Sequence, residues 1–568
     1  MDIQQAYRRW LDSVDESDRH ALERVAEDPA AIEDAFYRDL SFGTAGLRGV
    51  IGMGTNRMNV YTVARATQGL ATYLNANFDK PSVAICRDSR NMGEAFMQTA
   101  AGVLAANGIR AYLYPRIEPT PALSFAVRDL GCAAGINITA SHNPAEYNGY
   151  KVYGADGCQI TSEAARDIQA AIDGCDTFDG VHKMPFDEAL AAGLAQWISE
   201  DTLDRFLEAV HAQALDSEGG ELSVVYTPLN GTGLECVTRI LKTIGVHDVT
   251  VVPEQADPDG NFPTCPYPNP EMREALEKGL ELCGSVHPDL LLATDPDADR
   301  VGIAVPHDGD YVLLTGNEVG VLLLDFACRM RRGRGEDLAS KVAVTTIVSS
   351  TMVDALAREL GFELRRTLTG FKYIGEQIAL LESAGEANRY IFGFEESYGY
   401  LAGSHVRDKD AVVASMLICQ MARWHRAQGR DLVDAMESLY QHYGYYVNKT
   451  ISRSYPGAEG AQKMQQITSG LRSQAPATVA GMSVERVVDY ADQVEMPVVG
   501  GAAGAGERQT LPAADVIEFQ LAGGNKLIVR PSGTEPKIKA YLFAKGATRA
   551  ESEQVLAQLE QAAGEILG

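Results

Sequence analysis

The chain has 568 residues, with 77 Asp+Glu against 50 Lys+Arg and a formal net charge of -27 at pH 7. Affinity for nucleic acid or an anionic membrane rests on clustered Lys and Arg, so this balance excludes a general polyanion binder, while 45% hydrophobic and 22% charged residues exclude a globally disordered chain. At roughly 150 residues per domain the length suggests about four domains, and any phosphate site must be locally basic inside an acidic body.

The start, Met1 to Arg9, lacks the basic segment and apolar core of a secretory signal. The apolar runs Val319 to Cys328 and Ala411 to Trp424 are shorter than a membrane span. A cytoplasmic protein without membrane or nucleic-acid partners is expected. The cysteines at 86, 132, 158, 175, 236, 265, 283, 328 and 419 form no C-x-x-C pair, so ordinary buried thiols are expected rather than a disulfide framework or zinc site.

Helices are predicted in the N-terminal forty residues, followed by the glycine-rich segment Gly43-Thr44-Ala45-Gly46-Leu47-Arg48-Gly49, which presents one arginine. Three stretches built alike come next. Each opens on a short apolar strand, at Val83 to Cys86, Leu222 to Tyr226 and Val342 to Val344. Each continues into a helix ending at a glycine, Gly108, Gly245 or Gly361, as a left-handed helix stop requires. Second strands follow at Ile109 to Tyr114, Val246 to Val252 and Phe362 to Leu368, and third strands at Ala133 to Ile138, Leu290 to Ala293 and Tyr390 to Phe392. The third strands run into polar loops, Thr139 to Pro144, Asp295 to Arg300 and Gly393 to Ser397. Loops at corresponding strand ends would converge on one cleft, where α/β sheets bind ligands.

The first of these loops puts Ser141 beside His142 just past a strand, with Lys151 close by. A serine hydroxyl is a weak nucleophile until a base, a metal or a covalent phosphate changes its chemistry. The second loop, Asp295-Pro296-Asp297-Ala298-Asp299, sets three hard oxygen donors on alternate residues, a pattern that suits Mg²⁺. An EF-hand fails, because Arg300 stands where the loop needs glycine and Pro306 where it needs glutamate. In the third loop Glu395 and Ser397 offer acceptors for sugar hydroxyls; Glu395 and Glu396, adjacent on an extended segment, point to opposite sides and do not form a glycosidase pair. Thr369-Gly370-Phe371-Lys372 and His405-Val406-Arg407-Asp408-Lys409-Asp410 add cations.

Beyond Tyr443 the texture becomes that of a separate α+β domain. Gly500 to Gly506 reads as a loop. The strand Lys526 to Val529 leads into Arg530-Pro531-Ser532-Gly533-Thr534-Glu535-Pro536-Lys537, and an amphipathic helix starts at Arg549. Arg530 can grip two phosphate oxygens, Ser532 and Thr534 supply hydroxyls, and Gly533 admits close backbone N–H donors.

These five loops, in this order, resemble those of the α-D-phosphohexomutase superfamily, nearest its phosphoglucomutase and phosphomannomutase branch. The resemblance implies three similar α/β domains with mixed sheets and a smaller C-terminal α+β domain, arranged as a heart-shaped monomer around a central cleft. Expected boundaries are 1–215 for the domain with the phosphoserine loop, 216–330 for the metal loop, 331–443 for the sugar loop and 444–568 for the phosphate loop. It implies an isomerase that moves a phosphoryl group within glucose phosphates, with mannose phosphates as further substrates and glucose 1,6-bisphosphate as intermediate and activator. Ser141 would carry the phosphoryl group and, with Asp295, Asp297 and Asp299, hold Mg²⁺. Arg48, Lys151 and His142 are the candidates for proton movement or charge stabilisation, and Arg300, Gly370, Lys372, Glu395, Ser397, Arg407, Lys409, Arg530, Ser532, Gly533 and Thr534 for binding the sugar phosphate. Some members carry a histidine shortly after the sugar-loop serine; here Tyr398-Gly399-Tyr400 follows instead, and that contact does not carry over. The same long form occurs in relatives that act on pentose phosphates, so a phosphopentomutase is the enzymatic alternative. A sugar-phosphate sensor and a metal-dependent phosphatase are the others.

Overall fold

The computed structural model describes residues 2–43, 46–215, 220–455, 457–499, 502–532 and 537–568. It forms two compact units: Met1–Leu314 with Ile374–Tyr390 and Ser397–Gly429, and Thr315–Tyr373 with Ile391–Glu396 and Arg430–Gly568.

The first unit contains two sheets built on one plan. In the six-stranded sheet, Ser82–Arg87 lies parallel to Arg110–Leu113 and to Ala134–Ile138. The chain then returns antiparallel as Tyr147–Gly154, against which Gly46–Val50 adds a further antiparallel strand. In the five-stranded sheet, Ser223–Thr227 is parallel to Asp248–Val251 and Leu290–Thr294, and Val301–His307 returns antiparallel. In both sheets a fully buried third strand ends in a polar loop, and the antiparallel return leads away from it. The predicted glycine stops are present, with φ of +73° at Gly108, +78° at Gly245 and +88° at Gly361.

Three short N-terminal helices, Ile3–Ser13, Glu16–Val25 and Pro29–Phe36, pack on this unit through Tyr7, Trp10, Leu22, Ile32 and Phe36 against Met53 and Tyr61. Trp10 meets Phe36, Tyr61 and Phe178 edge-on at 5.5–5.8 Å, as aromatic quadrupoles prefer.

In the second unit, Val342–Thr346 lies parallel to Glu363–Thr367, with Tyr390–Glu395 as its other neighbour. The helix Gly316–Gly333 starts at a capping box between Thr315 and Glu318 and uses the run Val319 to Cys328 as a buried face rather than a membrane segment. The C-terminal part is an antiparallel sheet in the order Tyr445–Ser454, Lys537–Gly546, Asn525–Pro531, Ile517–Leu521, Met482–Asp489, Val494–Val499. One face is covered by the helices Gly457–Ser473 and Arg549–Leu567 through Ile467, Leu471, Leu559, Ala563 and Leu567. On the other face Val488, Tyr490, Ile528, Tyr541 and Phe543 meet Ile347, Val348 and Leu368.

Two local expectations are corrected. The strand at Tyr390 runs on through Gly393, Phe394 and Glu395, so the third polar loop begins only at Glu396. Within the stretch expected as loop, Ala502–Ala503 pairs with Val498 and Val499 as a short strand. Among the described residues no helix is long and apolar enough to cross a membrane.

Gly149, opposite Arg48 in the register of Gly46–Val50 with Tyr147–Gly154, leaves no room for a side chain: a Cβ would lie 2.5 Å from the Thr139 carbonyl oxygen and 3.0 Å from that of Leu47. Both obstacles are backbone. Gly149→Ala is therefore expected to cost about 1–3 kcal/mol of stability, read as a lower urea midpoint, by forcing the return strand away from the Ser141 loop.

Candidate active site

The backbone leaves the buried strand Ala134–Ile138 and turns sharply at Ser141, which is 3% exposed and has a left-handed φ of +52°. For a residue with a Cβ this conformation costs about 1–2 kcal/mol and persists only where surroundings over-determine it. The Ser141 N–H donates to Thr139 Oγ1 at 2.8 Å. Its hydroxyl donates to Asp295 Oδ2 at 2.8 Å, and His142 Nδ1 lies 3.3 Å from Ser141 Oγ. Burial, and then the guanidinium charges of Arg300 and Arg48, hold the His142 imidazole well below its usual range, so the ring is neutral near pH 7. Arg48 Nη1 donates to Asn143 Oδ1 at 3.1 Å on the same loop.

Asp295, Asp297 and Asp299 are almost completely buried, and their carboxylate oxygens lie within 4.8 Å of one another. The turn that gathers them passes through Ala298 at φ +47°. Asp295 Oδ1 accepts the N–H groups of Asp299 and Arg300 at 3.1 and 3.0 Å. Asp297 Oδ2 accepts from Lys151 Nζ at 2.9 Å and from the Thr120 hydroxyl at 2.9 Å. Lys409 Nζ is 3.0 Å from Asp299 Oδ2, and Lys151 is 4.0 Å from it. Burial and the charges of Asp297 and Asp299 push Asp295 well above the usual carboxylate range. Burial also acts upward on Asp297, but Lys151 overcomes it and holds this carboxyl below that range. Asp297 Oδ1 and Asp299 Oδ1 are buried and accept no hydrogen bond among the described residues. A cluster of hard oxygens, two of them unsatisfied, fits a divalent cation with oxygen preference.

Arg300 donates from Nη1 to the Ser397 carbonyl at 3.1 Å and to Glu271 Oε1 at 2.9 Å. The first unit thus gathers Arg48, Ser141, His142, Lys151, the three aspartates, Arg300, Ser397 and Lys409. Two predicted substrate cations, Arg407 and Lys409, have acidic partners within the first unit. The buried Arg407 guanidinium donates to Glu382 Oε2 at 2.6 Å and to the carbonyls of Ser404 and Val406, because a fully desolvated guanidinium must spend its donors on fixed acceptors. Lys409 faces Asp299 and Asp408.

The second unit holds the other candidates. Glu395, 5% exposed, accepts the Gly370 N–H at 2.7 Å, where Gly370 has φ +122°. Lys372 Nζ stands 5.1 Å from the centre of the Tyr373 ring. Arg530 is opposite Lys539 in its sheet. Burial raises the Tyr541 hydroxyl, on which the charges of Glu396, Arg530 and Glu395 also act. The Ser532 N–H donates to the Lys537 carbonyl at 2.8 Å; Gly533 and Thr534 lie outside the described residues.

Sequence reasoning missed Asp88, Arg90 and Thr120. Arg90 is 2% exposed and donates to carbonyls of the Ser141 loop. Thr120, at the start of the helix Thr120–Asp129, bonds Asp297 through both its hydroxyl and its N–H and is itself held by Asn137 Nδ2 at 2.7 Å. The available signal was Arg87-Asp88-Ser89-Arg90, a run of charge directly after an apolar strand.

The models of phosphoglucomutase/phosphomannomutase α/β/α domains I, II and III match residues 39–177, 203–309 and 315–443 in that order. The chain belongs to this family. Ser141 falls in the domain I match, the three aspartates in domain II, and Gly370, Glu395, Ser397, Arg407 and Lys409 in domain III; Arg530 lies beyond the matched residues. Similar proteins include a phosphoglucomutase of Staphylococcus saprophyticus, 35% identical over 537 residues that cover 94% of this chain and 95% of the relative. A phosphoglucomutase of Staphylococcus aureus is 35% identical over 542 residues, with the same coverage. Among solved structures, pp63/parafusin, a phosphoglucomutase from Paramecium in an open form, superimposes with a TM-score of 0.66 at 18% identity, covering 93% of this chain and 95% of its own. A phosphoglucomutase/phosphomannomutase family protein from Burkholderia thailandensis gives 0.65 at 18% identity, covering 93% and 96%. These two structures speak for the fold, which is the one expected: three α/β domains with mixed sheets and a C-terminal α+β domain.

A ligand that binds only the folded state stabilises it, by about 2.7 kcal/mol at a hundredfold excess over its dissociation constant. Mg²⁺ is expected to raise the melting temperature of the wild-type protein, and Asp297→Asn or Asp299→Asn to abolish that rise. A shift that persists in both variants would place the cation elsewhere.

Proposed function

We propose that the protein is a Mg²⁺-dependent phosphoglucomutase that interconverts α-D-glucose 1-phosphate and glucose 6-phosphate through a phosphoserine at Ser141 and a glucose 1,6-bisphosphate intermediate. The observation that carries this reading is the Ser141 hydroxyl, held 2.8 Å from one of three clustered buried carboxylates. The family membership and the two phosphoglucomutase relatives at 35% identity support the activity.

Asp295, Asp297 and Asp299 would hold the Mg²⁺, which when bound neutralises charge on the transferring phosphoryl group. The chain's own residues do the rest. In the forward half-reaction the Ser141 Oγ–P bond breaks as a sugar hydroxyl oxygen bonds phosphorus; that hydroxyl gives up a proton, and Ser141 Oγ ends with one. In the phosphoryl-free enzyme the Ser141 hydroxyl keeps its proton and donates a hydrogen bond to Asp295 Oδ2, with the neutral His142 Nδ1, 3.3 Å from Oγ, as a second acceptor. Lys151, fixed on Asp297, and Arg48, fixed on Asn143, present positive charge around this oxygen. Glu395, Ser397 and Gly370 are assigned to the sugar, and Arg530, Ser532, Gly533 and Thr534 to the phosphate that is not in transit. The bisphosphate then returns its other phosphoryl group to Ser141, which regenerates the enzyme.

Purified protein is expected to carry a phosphoryl group that maps to Ser141. Ser141→Ala should lower mutase turnover by about 10⁴-fold or more, as loss of a nucleophile does, without releasing phosphate. Full turnover by Ser141→Ala would refute the mechanism, stoichiometric release of inorganic phosphate from glucose 1-phosphate would make the enzyme a phosphatase, and a higher kcat/KM on ribose 1-phosphate would make it a pentomutase.

A further inference from the structure

Two buried side chains with no part in the phosphoryl chemistry reach Ser141 from opposite ends of its backbone. On the amino side, Thr139 Oγ1 accepts the Ser141 N–H, and the Thr139 hydroxyl donates onward to Asp88 Oδ2 at 2.6 Å. On the carboxyl side, the Ser141 carbonyl accepts from Arg90 Nη2 at 2.6 Å. The same nitrogen reaches the Asn143 carbonyl, and Nη1 reaches those of Pro144 and Tyr147 at 2.8 and 2.9 Å. One guanidinium thereby gathers carbonyls from four residues of the loop between 141 and 147. Asp88 and Arg90 close the bracket: their side chains, both 0% exposed, face each other at 3.3 Å, and Asp88 Oδ1 accepts the Arg90 N–H at 2.9 Å. The Phe262 ring covers the guanidinium, its centre 5.1 Å away.

We propose that Arg90, locked by Asp88, is a positioning residue for phosphoryl transfer, which holds Ser141 in its left-handed backbone setting and so aims Oγ at Asp295. The inference rests on Ser141 being the phosphoryl carrier. A non-glycine residue at φ +52° relaxes unless both of its peptide groups are held, and relaxation would swing the hydroxyl off the Asp295 oxygen. Arg90 and the Thr139–Asp88 pair hold one peptide group each. Charge alone does not explain the residue, because only a planar fork of donors spans carbonyls this far apart; an ammonium offers its donors from a single nitrogen.

Arg90→Lys separates the two roles by keeping the charge and losing the fork. The measurement is rapid-quench, single-turnover transfer from Ser141-phosphorylated enzyme to glucose 6-phosphate, beside steady-state kcat and KM. The expected result is a fall of about 10- to 100-fold in the transfer rate and in kcat, the scale of a misplaced reacting group, with KM for glucose 1-phosphate changed by less than about threefold. Thr139→Val should lower the transfer rate in the same way, and Thr139→Ser, which keeps the hydroxyl, should restore it. A folded Arg90→Lys enzyme that transfers at the wild-type rate overturns the proposal, as does a loss confined to KM. If Arg90→Lys does not fold, the threonine pair decides: equal transfer by Thr139→Val and Thr139→Ser overturns it. A wild-type enzyme with no phosphoryl group on Ser141 removes the functional reading and this inference together, whereas labelled wild type with an unimpaired variant removes only the role of Arg90.

Discussion

Three buried carboxylates gathered on one loop set the terms for the polar interior of the first unit. Each buried ion carries a desolvation cost of several kcal/mol, while a pair at about 3 Å returns roughly 4–6 kcal/mol at an effective dielectric near 20, so such pairs come close to breaking even. The aspartates at 295, 297 and 299 therefore cannot stand without nearby positive charge, and the fold delivers it from several directions. Lys151 comes from the return strand of one sheet, Lys409 from the segment before the helix Ala411–Arg426, and Arg300 from the end of the loop itself. What the lysines leave open is as informative as what they fill. Asp297 Oδ1 and Asp299 Oδ1 accept no hydrogen bond among the described residues, although Arg300 Nε lies 3.6 Å from the second, and this fits a divalent cation.

The geometry that meets this demand is a repeated one. A buried third strand projects its last residues past the sheet edge, and an antiparallel return strand carries the chain back with a second set of side chains. In one sheet the loop supplies Ser141 and the return strand supplies Lys151; in the other the loop supplies the aspartates. Thr120 and Asn137 tie the two sheets beside the aspartate loop, since one bonds Asp297 and the other bonds Thr120. The separation between the Ser141 hydroxyl and the carboxylates is thus fixed by secondary structure on both sides, and the left-handed backbone at Ser141 makes the final adjustment.

Much of this was readable from the chain alone. Apolar strands, glycine-stopped helices and polar loops recur with enough regularity that three α/β modules and a distinct C-terminal part follow from local patterning. The loops carry chemically specific residues, so Ser141, the aspartate triplet and Lys151 stood out. The internal partners of Arg407 and Lys409 were not legible. A cation in a polar stretch reads the same whether it faces solvent or a buried acid, and only the packing shows that Arg407 is spent on Glu382 and backbone carbonyls. Arg90 was marked only by the charged run Arg87-Asp88-Ser89-Arg90, and Thr120 by nothing local, because their partners are 51 and 177 residues away along the chain. The end of the strand at Glu395 was misplaced because Gly393 resembles a loop residue while its backbone remains extended.

The aspartate loop is clamped at both ends by one sheet, with Thr294 paired to Val301 across six intervening residues. Side chains alternate across a strand, so a one-residue slip of that pairing would move the return strand's inward set to the opposite face. The loop can therefore exchange side chains at constant length without disturbing the sheet, whereas an added residue has to be absorbed inside a six-residue span whose two ends are held by one strand pair.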